Sequence, residues 1–324
     1  TVDTNSSDTT GDITIGAVTG GSNSLTLSTG DNVANTDISA SGAISGVTTL
    51  TLSDVGGTAT LSGDVDVTTL TVGNTVLNVA FTGNGSSVVN AVSFANDGTL
   101  TLGASGGTQT YNGGLTTTSV SGTVTVNGTL ATSDDAIVLG AVTLGSATTI
   151  DTNSTTTNRA DITVAAITGG NNALTLTTEN NITGSDVTAS GAISGVTTLT
   201  LSDVGGTATL SGDVDVTTLV ALGNTVANIV FSGNGSTVVN TFTPITDGTL
   251  TLGTSGGTQT WTGGINGINR SGETILNGTI QSSNAAFVFG NVTLNSDSVI
   301  NTNATGQFAD IFVGAITGNN NSLT

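Results

Sequence analysis

Four aspartates carry the densest potential chemistry in this sequence. Asp64-Val-Asp66 returns as Asp213-Val-Asp215, and on an extended strand residues two apart project from one face, ~7 Å from each other. Carboxylates so placed suit three tasks. They can form a solvated acidic face that discourages sideways strand association. They can hold a divalent cation such as Ca2+ loosely. With Asp54 or Asp203 near in sequence, they can also supply the acid pair of a glycosidase. The solvated face fits best, because no Arg, His, Lys or Tyr accompanies either pair and the arrangement recurs in two copies. As the second reading, Asp64, Asp66, Asp213 and Asp215 are candidate ligands for a divalent cation; no catalytic or cofactor-binding residue is assigned, and the chain reads as a non-enzyme.

Weaker signals accompany them. Gly20-Gly-Ser-Asn-Ser-Leu25 and Gly169-Gly-Asn-Asn-Ala-Leu174 have the glycine density of calcium-binding rolls. However, Asn23 and Asn172 replace a glycine, and Leu25 and Leu174 stand where an aspartate ligand belongs, so both read as corners. Thr49-Leu-Thr51, Thr58-Ala-Thr60, Thr99-Leu-Thr101 and Thr108-Gln-Thr110 could present hydroxyls to ice, but they are scattered, and strand propensity accounts for them. Asn84-Gly-Ser86, Asn127-Gly-Thr129, Asn234-Gly-Ser236 and Asn277-Gly-Thr279 are glycosylation triplets of the kind chance supplies here. Tyr111 and Trp261, at equivalent positions before a Gly-Gly, suit an apolar corner better than a sugar or a neighbouring chain.

The elements that position these residues come from a long repeat. Residues 40–70 and 189–219 are identical, and Gly98–Gly103 returns as Gly248–Gly253. An extra residue enters where Leu70-Thr-Val-Gly73 becomes Leu219-Val-Ala-Leu-Gly223. The divisions expected are 1–150, a continuous second copy over 151–300, and the start of a third over 301–324. The chain starts at Thr1 without a signal-like segment and stops just inside that third copy, which suggests a mature product or a window of a longer repetitive protein.

Lys+Arg number 2, at Arg159 and Arg270, against Asp+Glu 22, for a net charge of −20, with no His, Cys or Met. Nucleic acid is excluded as a partner because its binding relies on cations neutralising phosphates. The absence of a long apolar run excludes a membrane-spanning helix. Without Cys there is neither a disulfide nor a thiolate site.

Short Val/Ile/Leu–Thr alternations such as Ile13-Thr-Ile15, Leu50-Thr-Leu52, Leu100-Thr-Leu102 and Val142-Thr-Leu144 read as strands with one apolar face. Each is expected to run about three to five residues. Gly20-Gly21, Gly56-Gly57, Asn84-Gly85, Asp97-Gly98, Gly106-Gly107 and Asn127-Gly128 mark the corners between them. Aromatics at 3%, a lone Pro244 and 47 glycines suit a narrow interior. The fold class that follows is all-β: a parallel β-solenoid (β-helix), right-handed by the crossover rule. Its coils should hold about 19 to 25 residues, giving about 13 to 17 coils.

Gly107-Thr-Gln-Thr-Tyr-Asn-Gly-Gly114, Val124-Thr-Val-Asn-Gly-Thr-Leu130, Gly140-Ala-Val-Thr-Leu-Gly145 and Gly42-Ala-Ile-Ser-Gly46 resemble the passenger repeats of filamentous-haemagglutinin-like and autotransporter-like bacterial surface proteins. The resemblance runs over essentially the whole chain and rests on texture rather than fixed residues. It implies an extracellular or cell-surface location and a structural role in a fibre, sheath or adhesin stalk. The implied partners are copies of the chain itself or surface glycans. The alternative is a β-helix that binds or cleaves polysaccharide.

Overall fold

The computed structural model describes residues 1–7, 11–30, 32–154, 159–179, 182–222, 226–268, 270–305 and 309–324. Gly223, at the one-residue insertion, lies outside the described residues. The described residues form strands, turns and bends, with no helix. All their strand pairings are parallel, stacked in about 14 turns in total, which makes the chain a β-solenoid. It divides into two compact units, Thr1–Asn153 and Ser154–Thr324.

In the first unit, alternation puts every second strand residue inward, and each inward residue stacks on its counterpart one coil on. Ile13 pairs with Ile38, Ile38 with Ala59, Ala59 with Val79, Val79 with Leu100, Leu100 with Val124 and Val124 with Val142. None of these seven is more than 4% exposed. The intervening residues Thr14, Ser39, Thr60, Ala80, Thr101, Thr125 and Thr143 make the matching outer column. The Thr-x-Thr rows are thus interrupted, since Thr58 and Thr60 pair with Asn78 and Ala80.

The second unit builds the same inner column from Ile162, Val187, Ala208, Ile229, Leu250, Thr274 and Val292. Stacking supplies the burial, as expected where no coil can cover its own apolar face. Ile162 and Ile167, each with a coil above, are 0% and 1% exposed, whereas their repeat counterparts Ile311 and Ile316 are 43% and 49% exposed.

Three expectations need correction. Strands are not confined to three to five residues: Ile44–Ser53, Val65–Val72, Val124–Ala131 and Val142–Asp151 run through corners without a break. The corner is often one left-handed residue, Gly46 (φ 64) or Gly128 (φ 63), so the ladder continues past it with a register shift. A β-bulge of this kind re-aims a strand without ending its pairing. Coils accordingly vary more than expected, from the 18-residue step of Val124 to Val142 to the 26-residue step of Val18 to Ile44.

Gly56 and Gly57 are not a corner between strands either. They lie inside Val55–Leu61, where a Cβ on Gly56 would meet the Val33 carbonyl oxygen at 2.1 Å. That glycine answers to close backbone approach rather than to a turn.

Candidate functional site: a carboxylate-edged groove in each unit

The candidate aspartates are first of all inter-coil clamps. Asp64 stands one residue before the strand Val65–Val72, and its Oδ1 accepts the Gly85 amide at 2.8 Å; Asp66, in that strand, accepts the Ser87 amide at 3.1 Å. In the second unit, Asp213 accepts from Gly235 at 2.7 Å and Asp215 from Thr237 at 3.0 Å. Similar bonds recur along the stack. Asp37 accepts the Thr58 amide, Asn78 the Thr99 amide, Asp186 the Thr207 amide and Asn228 the Thr249 amide. Each bond ties a strand-entry residue to the coil above and satisfies an N–H there. Where the acceptor is ionised, the bond is charge-assisted.

The structure therefore brings Asp64 and Asp66 to one strand but spends one oxygen of each on a different backbone amide. Asp54 and Asp203 occupy another corner in left-handed conformation (φ 53 and 52), and their carbonyl oxygens accept the hydroxyls of Thr29 and Thr178. Among the described residues no group of three or more His, Cys, Asp or Glu is gathered as a metal site. Any cation at Asp66 or Asp215 would draw most of its oxygen ligands from hydroxyls, carbonyls and water.

One concavity occurs at equivalent positions in both units. In the first it measures about 450 Å3 and spans four successive coils at Ser22, Gly46–Thr48, Asp66–Thr68, and Ser87 with Val89. In the second it measures about 210 Å3, at Asn171, Gly195–Thr197, Asp215–Thr217, and Thr237 with Val239. The left-handed glycines make it: Gly46 and Gly195 (φ 64 and 66) are extra residues where Ser45 opposes Asp66 and Val47 opposes Val67, and likewise for Ser194 and Val196. The floor is aliphatic, with Val47 and Val67 buried. One wall is Val89, 52% exposed, or Val239, 46% exposed.

The polar edge is the carboxylate of Asp66 or Asp215, with the exposed hydroxyls of Thr48 and Thr68 or Thr197 and Thr217. Thr48 donates to the Ser22 carbonyl at 2.8 Å. After the Ser87 or Thr237 amide is served, one carboxylate oxygen on each Asp has no partner among the described residues. Sequence reading found Asp66 and Asp215 but not Gly46, Gly195, Val89 or Val239. A bulge leaves no periodic trace, and an exposed valine looks like any other strand residue.

The aromatics settle inside. Tyr111 is 0% and Trp261 1% exposed, so neither reaches a sugar or a neighbouring chain. Tyr111 packs 6.4 Å from both Phe81 and Phe94, and its hydroxyl donates to Gln109 Oε1 at 2.9 Å. Burial pushes its phenol far above the ordinary range. Gln109 in turn donates to the carbonyls of Phe81 and Gly83 at 2.7 and 3.2 Å. In the second unit Gln259 repeats those two bonds. Trp261 stacks on Phe242 at 5.3 Å but leaves both Gln259 Oε1 and its own Nε1 without partners.

Arg270, one of the two cations, is interior too at 9% exposure. It donates to Thr274 Oγ1 at 2.6 Å and to the carbonyls of Gly248 and Glu273 at 2.9 and 3.0 Å. Burial pushes its pKa down to about 10, so it stays charged at neutral pH. In the first unit Asn96 serves the corresponding carbonyl of Gly98 at 3.2 Å. Of the glycosylation triplets, Asn84 and Asn234 are exposed. Asn277 is only 7% exposed, and Asn127 and Asn277 both donate to inner carbonyls, of Leu102 and Leu252.

The class defined by this architecture is the parallel β-solenoid. Comparison with models of known families, with curated proteins and with solved structures finds no match.

Proposed function

We propose that this chain is a non-enzymatic structural segment of an extracellular or cell-surface fibre, sheath or adhesin stalk, supplying length, stiffness and display. The observation that carries this reading is the doubled tie between coils. Inside each unit, backbone ladders are supplemented by side-chain clamps at strand entries, and the two units repeat them at equivalent residues, Asp37 with Asp186 and Asp64 with Asp213. A unit that needs only its neighbours for burial can be copied to gain reach. The resemblance of its repeats to bacterial surface passengers points the same way. The natural partners are further copies of the same chain. The alternative, a β-helix that binds or cleaves polysaccharide, rests on the Asp pairs; the two aromatics, both interior, add no sugar-stacking platform to it.

Electron microscopy of chains carrying one, two and three copies of the repeat tests the proposal. Contour length is expected to rise by a constant increment per copy. A length that does not grow, or a glycan-cleaving activity removed by Asp64→Asn with Asp66→Asn, would count against it.

A further inference from the structure

We infer that the groove at Asp66, and its twin at Asp215, is a docking site for lysine side chains on an extended segment of a partner protein. The argument begins with what the lining offers. Its side-chain polar groups in the first unit are one carboxylate oxygen without a partner and several hydroxyls; no Lys, Arg, amide or aromatic side chain is present. The carboxylate makes this lining anionic, while its hydroxyls, which are free to rotate, can donate as well as accept. Phosphates and sulfates, which need fixed donors, are poor ligands for it. In the first unit a sugar would find neither a stacking platform nor a bidentate amide, and in the second only the Asn171 amide.

A primary alkylammonium matches it on both counts. Its methylene stem can lie along the exposed Val89 and over Val67, and its ammonium can reach the open oxygen of Asp66. The groove crosses four coils, about three inter-coil spacings or ~14 Å, enough for a short extended segment.

Charge selects the source. The net charge is −20 with no lysine, and of the two arginines Arg270 is committed to inner carbonyls. The cation must come largely from another molecule, which the field of this chain draws in. The position adds selectivity, because the same lining recurs one repeat later with only Ser22 replaced by Asn171 and Ser87 by Thr237. Each unit therefore carries its own groove of this chemistry.

The test uses the full chain and a capped tetralysine peptide, with capped tetranorleucine as the apolar control. Asp66→Asn with Asp215→Asn removes the charge but keeps the Oδ1 acceptor for the Ser87 and Thr237 amides. Asp12→Asn with Asp161→Asn makes the same charge change at clamps outside the groove, where those residues accept the Asp37 and Asp186 amides. Calorimetry at low salt is expected to show two tetralysine sites per chain. Binding should be about fivefold weaker in the groove variant, unchanged in the control variant, and should fade as salt rises. In the unsubstituted chain, the methyl resonances of Val89 and Val239 should shift with tetralysine and not with tetranorleucine.

Equal weakening in both variants would reduce the effect to diffuse polyanion attraction and overturn the inference. So would equal binding of tetranorleucine, silent valine methyls, or Ca2+ binding at Asp66 and Asp215 that excludes the peptide.

Discussion

Tyr111→Phe isolates one interior hydrogen bond and nothing else. The phenyl ring keeps its place beside Phe81 and Phe94, at 6.4 Å from each, so packing changes by a single oxygen. What is lost is the 2.9 Å bond to Gln109 Oε1, in a side chain 0% exposed. Gln109 cannot turn to find another partner, because its amide nitrogen is committed to the carbonyls of Phe81 and Gly83. Its oxygen is left buried and alone, which costs about 1–3 kcal/mol. Urea denaturation of the full chain, followed by circular dichroism, reads the loss. Amide exchange of Thr108–Tyr111 localises it, since solenoid coils can open separately. The double variant with Gln109→Met should show coupling of about 1 kcal/mol or more with Tyr111→Phe. A Tyr111→Phe change inside about 0.5 kcal/mol, the range of surface substitutions, would refute the reasoning and mean that the interior satisfies Gln109 by another route.

Leu102→Asp places an unpartnered carboxylate in a column where Leu102 is 0% exposed between Phe81 and Val126; loss of the first unit's cooperative melting transition is expected by calorimetry. Asp37→Ala should destabilise by about 1 kcal/mol, because the Thr58 amide loses its acceptor, whereas Asp37→Asn should restore most of that in the same denaturation assay. Alkaline stability should report Tyr111. Burial raises its folded pKa far above the ordinary 10.0, so its contribution is complete below pH 10. Above that, only the unfolded chain ionises, and about 1.4 kcal/mol is lost per pH unit. Arg270, lowered by burial to about 10, contributes with the opposite sign. The measurement is therefore the difference between the unsubstituted chain and Tyr111→Phe, which should show that slope. Asp297, held below its usual value by the Ser322 amide and hydroxyl, contributes stability above the unfolded carboxylate range; protection of the Ser322 amide, its exchange rate relative to the intrinsic rate at the same pH, should be lost as pH falls through the folded pKa.

The sequence by itself determined the period, the strand class and the narrow interior. Period-two alternation at Leu100-Thr-Leu102 or Val142-Thr-Leu144 can bury one face only against like residues, and those triplets recur at spacings that suit coils. It also located all four candidate aspartates, because an exact repeat puts the same side chains in the same environment twice. Only the tertiary structure decided what those side chains touch. Asp64 and Asp66 are two residues apart, yet their amide partners, Gly85 and Ser87, come from a neighbouring coil about twenty residues away. Coil length varies from 18 to 26 residues, so no fixed spacing in the sequence reveals that pairing.

The same holds for the groove, for Arg270 and for Tyr111. A left-handed glycine at Gly46 adds one residue to one side of a ladder, and that local insertion decides which side chains share a concavity. Alternation specifies the inward or outward sense of a residue. Its neighbour across the stack is set by the summed lengths of every corner between them, and those lengths follow from backbone geometry that composition does not encode.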